Sequence, residues 1–222
     1  DKEIFKKLKS DIENSEYKDR VVAVNDNYAN LKNILSELKI EKADGVLLDL
    51  GFSSVHVDIS GRGFSFQKDE PLDMRYNQDQ AVTAYEIVNS WPELEIAEIL
   101  KKYGEERFAY RIAKAICENR KREKIGTTLQ LVDVVRGAVP AFYRNGKINC
   151  ATRTFQALRI AVNGELDNIE NVLPQIIDVL NSGGRIAIIS FHSLEDRIIK
   201  NFFRDKSKEG LLKIITKKPI TA

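Results

Sequence analysis

The run Gly45-Val46-Leu47-Leu48-Asp49-Leu50 constrains this chain more than any other stretch. It is apolar, too short for a packed helix, and followed at once by the turn Gly51-Phe52-Ser53-Ser54. Such a run reads as a strand buried on both faces, the kind found inside parallel sheets. Helical spacing precedes it twice, in Ile4, Leu8 and Ile12 and again in Leu31, Ile34, Leu35 and Leu38. Between these, the β-branched run Val21-Val22-Ala23-Val24 reads as a further strand. Helix and strand in alternation predict an α/β protein with a parallel, doubly wound sheet.

The alternation then stops. Residues 52–78 read as loop, with Gly51, Gly61, Gly63 and Pro71 as breakers. From Ala81 to Pro140 the pattern is helical, with one stripe in Leu94, Ala97 and Leu100. A second stripe comprises Phe108, Ile112, Ala115 and Ile116, and a third Leu129, Val132 and Val135. A strand returns at Arg185-Ile186-Ala187-Ile188-Ile189-Ser190, after a long helical stretch from about Thr154 and a break at Gly183-Gly184. The simplest architecture is an open α/β sheet, residues 1–78 and 151–222, interrupted by a helical insertion, residues 79–150.

Bulk properties narrow the class. Of 222 residues, 43% are hydrophobic, so a packed core is expected. The formal net charge of +2 argues against a histone-like binder of nucleic acid but permits a local basic face. No long uncharged apolar run exists, so no membrane span is expected. Cys117 and Cys150 form no CxxC pair, which speaks against a disulfide framework or a zinc site and for a reducing cytoplasm. Asp1, running straight into a helical pattern with no signal-peptide segment, reads as a chain entered partway through its fold.

Ligands of open α/β sheets bind outside the carboxyl ends of the strands. One such end is Asp49-Leu50-Gly51-Phe52-Ser53-Ser54, where glycine permits close backbone approach. The other is Ser190-Phe191-His192-Ser193-Leu194-Glu195-Asp196. There Ser193 and Asp196 fit a helix N-cap pattern, leaving His192 as the freer group. Between the two ends lie Arg62-Gly63-Phe64-Ser65-Phe66 and Pro71-Leu72-Asp73-Met74-Arg75. Aromatic rings among arginines suit single-stranded nucleic acid; equally, Phe64 and Phe66 pin the loop to the core. Over 152–163 the helical period buries Phe155, Leu158 and Val162, with Leu166 continuing the stripe, and aligns Gln156, Arg159 and Asn163 on another face. That polar row points to recognition of something polar. Arg107, Arg111 and Lys114, with Arg120, Lys121, Arg122 and Lys124 beyond, form either a solvated face or a phosphate track.

Read together, the segments 44–54, 62–66, 71–75, 103–116, 151–166 and 183–200 resemble the MraW/RsmH family of small-subunit ribosomal RNA (cytosine-N4-)-methyltransferases. The resemblance implies a class I, Rossmann-like methyltransferase sheet with an inserted all-helical substrate domain. It further implies S-adenosyl-L-methionine as methyl donor and the exocyclic amine of a ribosomal RNA cytidine as target. By position, Tyr28, Asp49 and His56 match cofactor contacts, His56 standing where glutamine is common. The match begins after the family's first strand and Gly-Gly-His loop, with Asp1 at the second acid of its Asp-x-Asp, and ends before its arginine-rich tail. Asn149-Cys150 replace a usual His-Pro, and Asn77 replaces an acid.

The chemistry this implies requires a hydrogen-bond acceptor at a weakly nucleophilic amine. Ser53 and Ser54, with Asp73 or His192, are the expected catalytic groups. Arg62, Arg75, Arg153, Gln156 and Arg159 are expected to hold the RNA strand, and Phe64 or Phe66 to stack on the extruded base. A non-catalytic RNA-binding or ribosome-assembly role is the alternative. A nucleotide-dependent oxidoreductase fits poorly, since no GxGxxG occurs.

Overall fold

The computed structural model describes residues 1–58, 60–216 and 218–220. Contacts divide the chain into two compact units, residues 1–21 with 52–164 and residues 22–51 with 165–222.

The first unit is helical. Helix α1 (Lys2–Glu13) starts where the Asp1 carboxylate accepts from the backbone N–H of Glu3 and Ile4. After the short α3 (Ser54–Asp58) and an irregular loop come α4 (Ala84–Ser90), α5 (Glu93–Gly104), α6 (Ala109–Asn119) and α7 (Thr128–Ala138). The single turn α8 (Ala141–Arg144) and the long α9 (Thr152–Asn163) complete it. Two of these helices start on side-chain caps: Thr83 caps α4, and Thr127 with Gln130 forms a reciprocal capping box on α7.

The core of this unit is continuous. It joins Ile87, Ile96, Leu100, Ile112, Ile116, Leu131 and Leu158, and α5 packs on both α6 and α9. Two expected core residues lie outside it. Leu94 and Leu129 face solvent, because the buried faces centre on Ile96-Ala97-Leu100 and on Thr128-Leu131-Val132-Val135. The loop is zipped to itself and to α9: Met74 N–H donates to the Arg62 carbonyl (2.8 Å), and the Asn163 amide donates to the Met74 carbonyl (2.8 Å). Gly63 makes that zipper possible. Its φ is +74°, and a Cβ there would sit 2.4 Å from the Pro71 carbonyl oxygen.

The second unit carries the sheet. A 3₁₀ turn (Tyr28–Asn30) leads into α2 (Leu31–Glu37), β1 (Ala43–Asp49), α10 (Glu165–Val179), β2 (Leu180–Ile189) and α11 (Ser193–Lys208). The strands pair in parallel, with Gly45 opposite Arg185 through Asp49 opposite Ile189. Helix α10 buries Leu166, Ile169, Val172, Leu173 and Ile176, and packs on α2, α11 and the sheet.

Several expectations about strands are corrected here. Val21–Val24 is extended chain, not a strand; β-branched residues favour a strand only where a partner completes the ladder, and the described pairing joins β1 to β2 alone. β1 is half-exposed rather than buried on both faces, with Leu47 67% exposed. Gly183-Gly184 does not end the helical stretch but lies within β2, beside the register shift between Ala43 and Gly45. His192, not Ser193, occupies the cap position of α11.

Candidate active site

The two strand ends singled out above are neighbours. Leu50 N–H donates to the Ile189 carbonyl (3.1 Å), so the chain leaves β1 and β2 side by side. Asp49 stands exposed at the end of β1, and Gly51 turns the chain at φ +89°, a conformation that side chains rarely allow. Phe191 is 69% exposed beside that turn. An exposed carboxylate, a glycine turn and an open ring thus share one strand edge, the position where parallel sheets bind ligands.

Behind this edge lies a buried polar cluster. Glu195 is fully shielded, and one of its oxygens accepts from the Phe191 N–H (2.9 Å). Its other oxygen lies 3.3 Å from His192 Nε2, while both His192 ring nitrogens are shielded and lack a hydrogen-bond partner among the described residues. The donor atoms of Glu165, His192 and Glu195 all lie within 4.8 Å of one another. Burial first, and then the charges of Glu165 and Glu195, push the Tyr28 phenol above its ordinary value, so Tyr28 presents a neutral hydroxyl. Sequence spacing missed Glu165 as a partner of His192, because a distant segment supplies it, whereas Glu195 lies only three residues on. Asp196, by contrast, pairs with Lys200 one turn on (2.8 Å).

In the helical unit a second cluster surrounds His56. The Ser53 N–H donates to its Nδ1 (3.1 Å), and the Ser53 hydroxyl lies equally near (3.1 Å). The Phe64 and Tyr76 rings flank it, each with its centroid 5.1 Å away. Burial, then the Arg62 guanidinium and the N-terminal ammonium, hold His56 down at about 4. It is therefore neutral at pH 7, with its proton on Nε2, 3.4 Å from the Asp1 carboxylate. Arg62 binds that same carboxylate directly. The Ser54 side chain lies outside the described residues.

The remaining expected residues have the following places. Asp73 accepts from Arg75 through its backbone N–H (3.0 Å), Nε (2.8 Å) and Nη2 (2.7 Å). Burial pushes the Asp73 carboxyl up, but the Arg75 hydrogen bonds and the charges of Arg75 and Arg62 outweigh it, leaving the group below its ordinary value. Arg62 is buried and donates to the Arg75 carbonyl (2.8 Å). Phe64 stacks on Tyr76 at 5.5 Å, and Phe66 meets Phe155 edge-on at 5.2 Å, so both rings pin the loop to the core. Gln156 donates to the Tyr103 carbonyl (3.1 Å) and Arg153 to the Glu105 carbonyl (2.7 Å). The Arg159 guanidinium lies 4.5 Å above the Phe52 ring.

These features define an α/β protein with two adjoining parallel strand ends and a helical unit that displays arginines over aromatic rings. The chain belongs to the MraW methylase family, which matches it over residues 1–222. It is 48% identical over 206 residues to the ribosomal RNA small subunit methyltransferase H of Sulfurihydrogenibium sp. (strain YO3AOP1), covering 93% of this chain and 70% of that protein. The protein of that name from Persephonella marina is 44% identical over 221 residues, 100% of this chain and 75% of the relative. The one from Thermosipho africanus is 52% identical over 182 residues, 82% and 62% respectively.

Proposed function

We propose that this chain transfers a methyl group from S-adenosyl-L-methionine to the exocyclic N4 amine of a cytidine in small-subunit ribosomal RNA. The observation that carries the reading is the identity of 44–52% to proteins named as methyltransferases of that RNA. The fold we assign is the class I, Rossmann-like sheet, with residues 79–150 as the inserted substrate domain. Among the described residues no helix is long and apolar enough to cross a membrane, and the buried cysteines are free, in keeping with a cytoplasmic setting.

The residues present fit the cofactor. Asp49 offers a carboxylate beside a glycine turn, and Tyr28 a neutral ring. When bound, S-adenosylmethionine supplies a methyl that is already electrophilic, so the protein's task is orientation. Asp49 and Tyr28 are assigned to hold it, and the uncharged His56 to line rather than neutralise.

The amine must lose a proton and is helped by an acceptor. His192 is the acceptor we assign, because its ring nitrogens engage no hydrogen bond among the described residues, and Nε2 lies 3.3 Å from a Glu195 oxygen. Asp73 is saturated by Arg75, which favours a role in fixing that arginine. Ser53 and Ser54 are assigned to shaping the turn near the amine. Arg75, Arg153, Gln156 and Arg159 are assigned to the RNA strand, with buried Arg62, Phe64 and Phe66 holding the loop that presents them.

The test is transfer of tritium from S-adenosylmethionine to small ribosomal subunits that lack the modification, followed by nucleoside analysis. Label recovered as N4-methylcytidine is expected. Label on another nucleoside defeats the assignment; RNA binding with neither transfer nor calorimetric cofactor binding favours an assembly role.

A further inference from the structure

The groups assigned above leave a second aromatic and basic surface unused, on α6, α8 and the turn between α5 and α6. Phe142 is 68% exposed and Tyr110 57% exposed. Between them stands Arg107, whose guanidinium lies 4.9 Å above the Tyr143 ring and 5.7 Å from that of Phe108. Arg111 approaches Phe108 from its other neighbour on the helix, at 5.9 Å. The buried Glu106 locks the rings beneath, accepting from the Tyr143 hydroxyl (2.6 Å) and the Phe108 N–H (2.8 Å). Phe142 packs edge-on to Phe108 at 6.2 Å, leaving most of its ring open. Next to this lies a cavity of about 450 Å³ lined by Lys101, Glu105, Glu106, Arg107, Ala109 and Tyr110.

Exposed rings grouped on one surface mark interaction sites, and arginines held over aromatic faces are pre-oriented for phosphate. Lys101, Arg144 and Lys147 are also exposed in the same segments, so the charge complements a polyanion. We propose that this surface binds an unpaired RNA nucleotide: its base stacks on Phe142, and Arg107 and Arg111 hold the adjoining phosphates. The inference rests on the RNA-directed function above and assigns a contact that none of the strand-edge groups provides. Stacking and phosphate binding together select single-stranded over duplex RNA, because only unstacked bases reach a ring.

Fluorescence anisotropy with a short labelled single-stranded RNA of mixed sequence, and with the same strand in a duplex, tests this without cofactor. Phe142→Ala is expected to weaken single-strand binding about tenfold and leave duplex binding unchanged. Arg107→Ala is expected to weaken both and to lower the salt slope by about 0.7. Undiminished single-strand binding by Phe142→Ala overturns the proposal. So does a parent chain that dimerises on sizing and becomes monomeric with Phe142→Ala, which assigns the ring to self-association. Methyl transfer together with an inert Phe142 removes this surface alone; Phe142-dependent binding without methyl transfer removes the proposed enzyme and keeps the surface.

Discussion

In the helical unit Ile96, Leu100, Ile112 and Leu131 are fully shielded, while in the strand unit Leu47 and Phe191 stay open at the sheet itself. Polar groups do not divide so cleanly. The loop over α9 spends its polar atoms on itself, through Asn163 to Met74 and Tyr76 and through Arg75 to Asp73. The strand unit shields a histidine whose two ring nitrogens have no hydrogen bond among the described residues, and the helical unit shields two such atoms of its own, His56 Nε2 and Thr154 Oγ1. Unsatisfied buried polar atoms cost stability and persist where chemistry needs them. The difference teaches that the closed apolar core lies in the helical unit, while the strand unit leaves apolar surface open at the sheet edge proposed above as the site of chemistry.

Matched truncations break or sharpen that contrast most directly. Leu100→Ala should cost about 3–4 kcal/mol in urea unfolding, since it opens a cavity in a closed core. Leu47→Ala should cost less than about 1 kcal/mol, since its side chain is largely solvated. Equal losses would mean that β1 is as tightly packed as the helices.

The next contrast concerns reaction rate. His192→Ala should lower methyl transfer about 100-fold, the usual worth of a positioned acceptor, with little change in unfolding midpoint. Asp73→Ala should instead loosen Arg75, raising KM for RNA more than it lowers kcat. Near-normal turnover in both variants would remove both groups from the chemistry.

His56 supplies a pH test of the helical unit. Its folded value of about 4 lies below the ordinary 6.5 of a histidine, so the unfolded chain takes up the proton first as pH falls. The stability from keeping it neutral is whole above pH 6.5 and is lost progressively towards pH 4. Allowing for screening at the ring's open edge, the loss should be about 2 kcal/mol. His56→Gln should flatten the curve across that window; Asp73, held low, titrates beneath it. An unchanged curve would place the imidazole in water.

How far the sequence revealed this follows from the same contrast. Helical stripes were legible because a 3.6-residue period survives in a closed core, and the errors at Leu94 and Leu129 are single steps around a wide apolar face. The two strand ends were legible from apolar runs stopped by Gly51 and by Phe191-His192. The Val21–Val24 strand was misread because β-branching reports compatibility with a ladder, not the presence of a partner. Loop side chains were ambiguous for the same reason: whether Phe64 faces RNA or Tyr76 depends on neighbours that local spacing does not name. Glu165 was hidden because folding, not sequence proximity, brings it to His192 and Glu195, which lie three residues apart.

The smallest expected effect lies beside the most reactive group. Asp196 follows His192 within the same short segment, where sequence reads it as part of a helix N-cap pattern and leaves His192 as the freer group. The structure separates them: His192 is shielded at the helix start, whereas Asp196 pairs with a half-exposed Lys200 one turn on. An i,i+4 pair in water contributes about 0.3–0.5 kcal/mol, and a carboxylate in the first turn adds a similar increment through the helix dipole. Asp196→Ala should therefore lower stability by less than about 1 kcal/mol and leave methyl transfer near the parent rate. Asp196→Asn should recover part of even that loss, because a polar side chain remains at the helix start. A collapse of transfer in both variants, with unfolding unchanged, would move Asp196 into the reactive edge and dissolve the boundary drawn between it and His192.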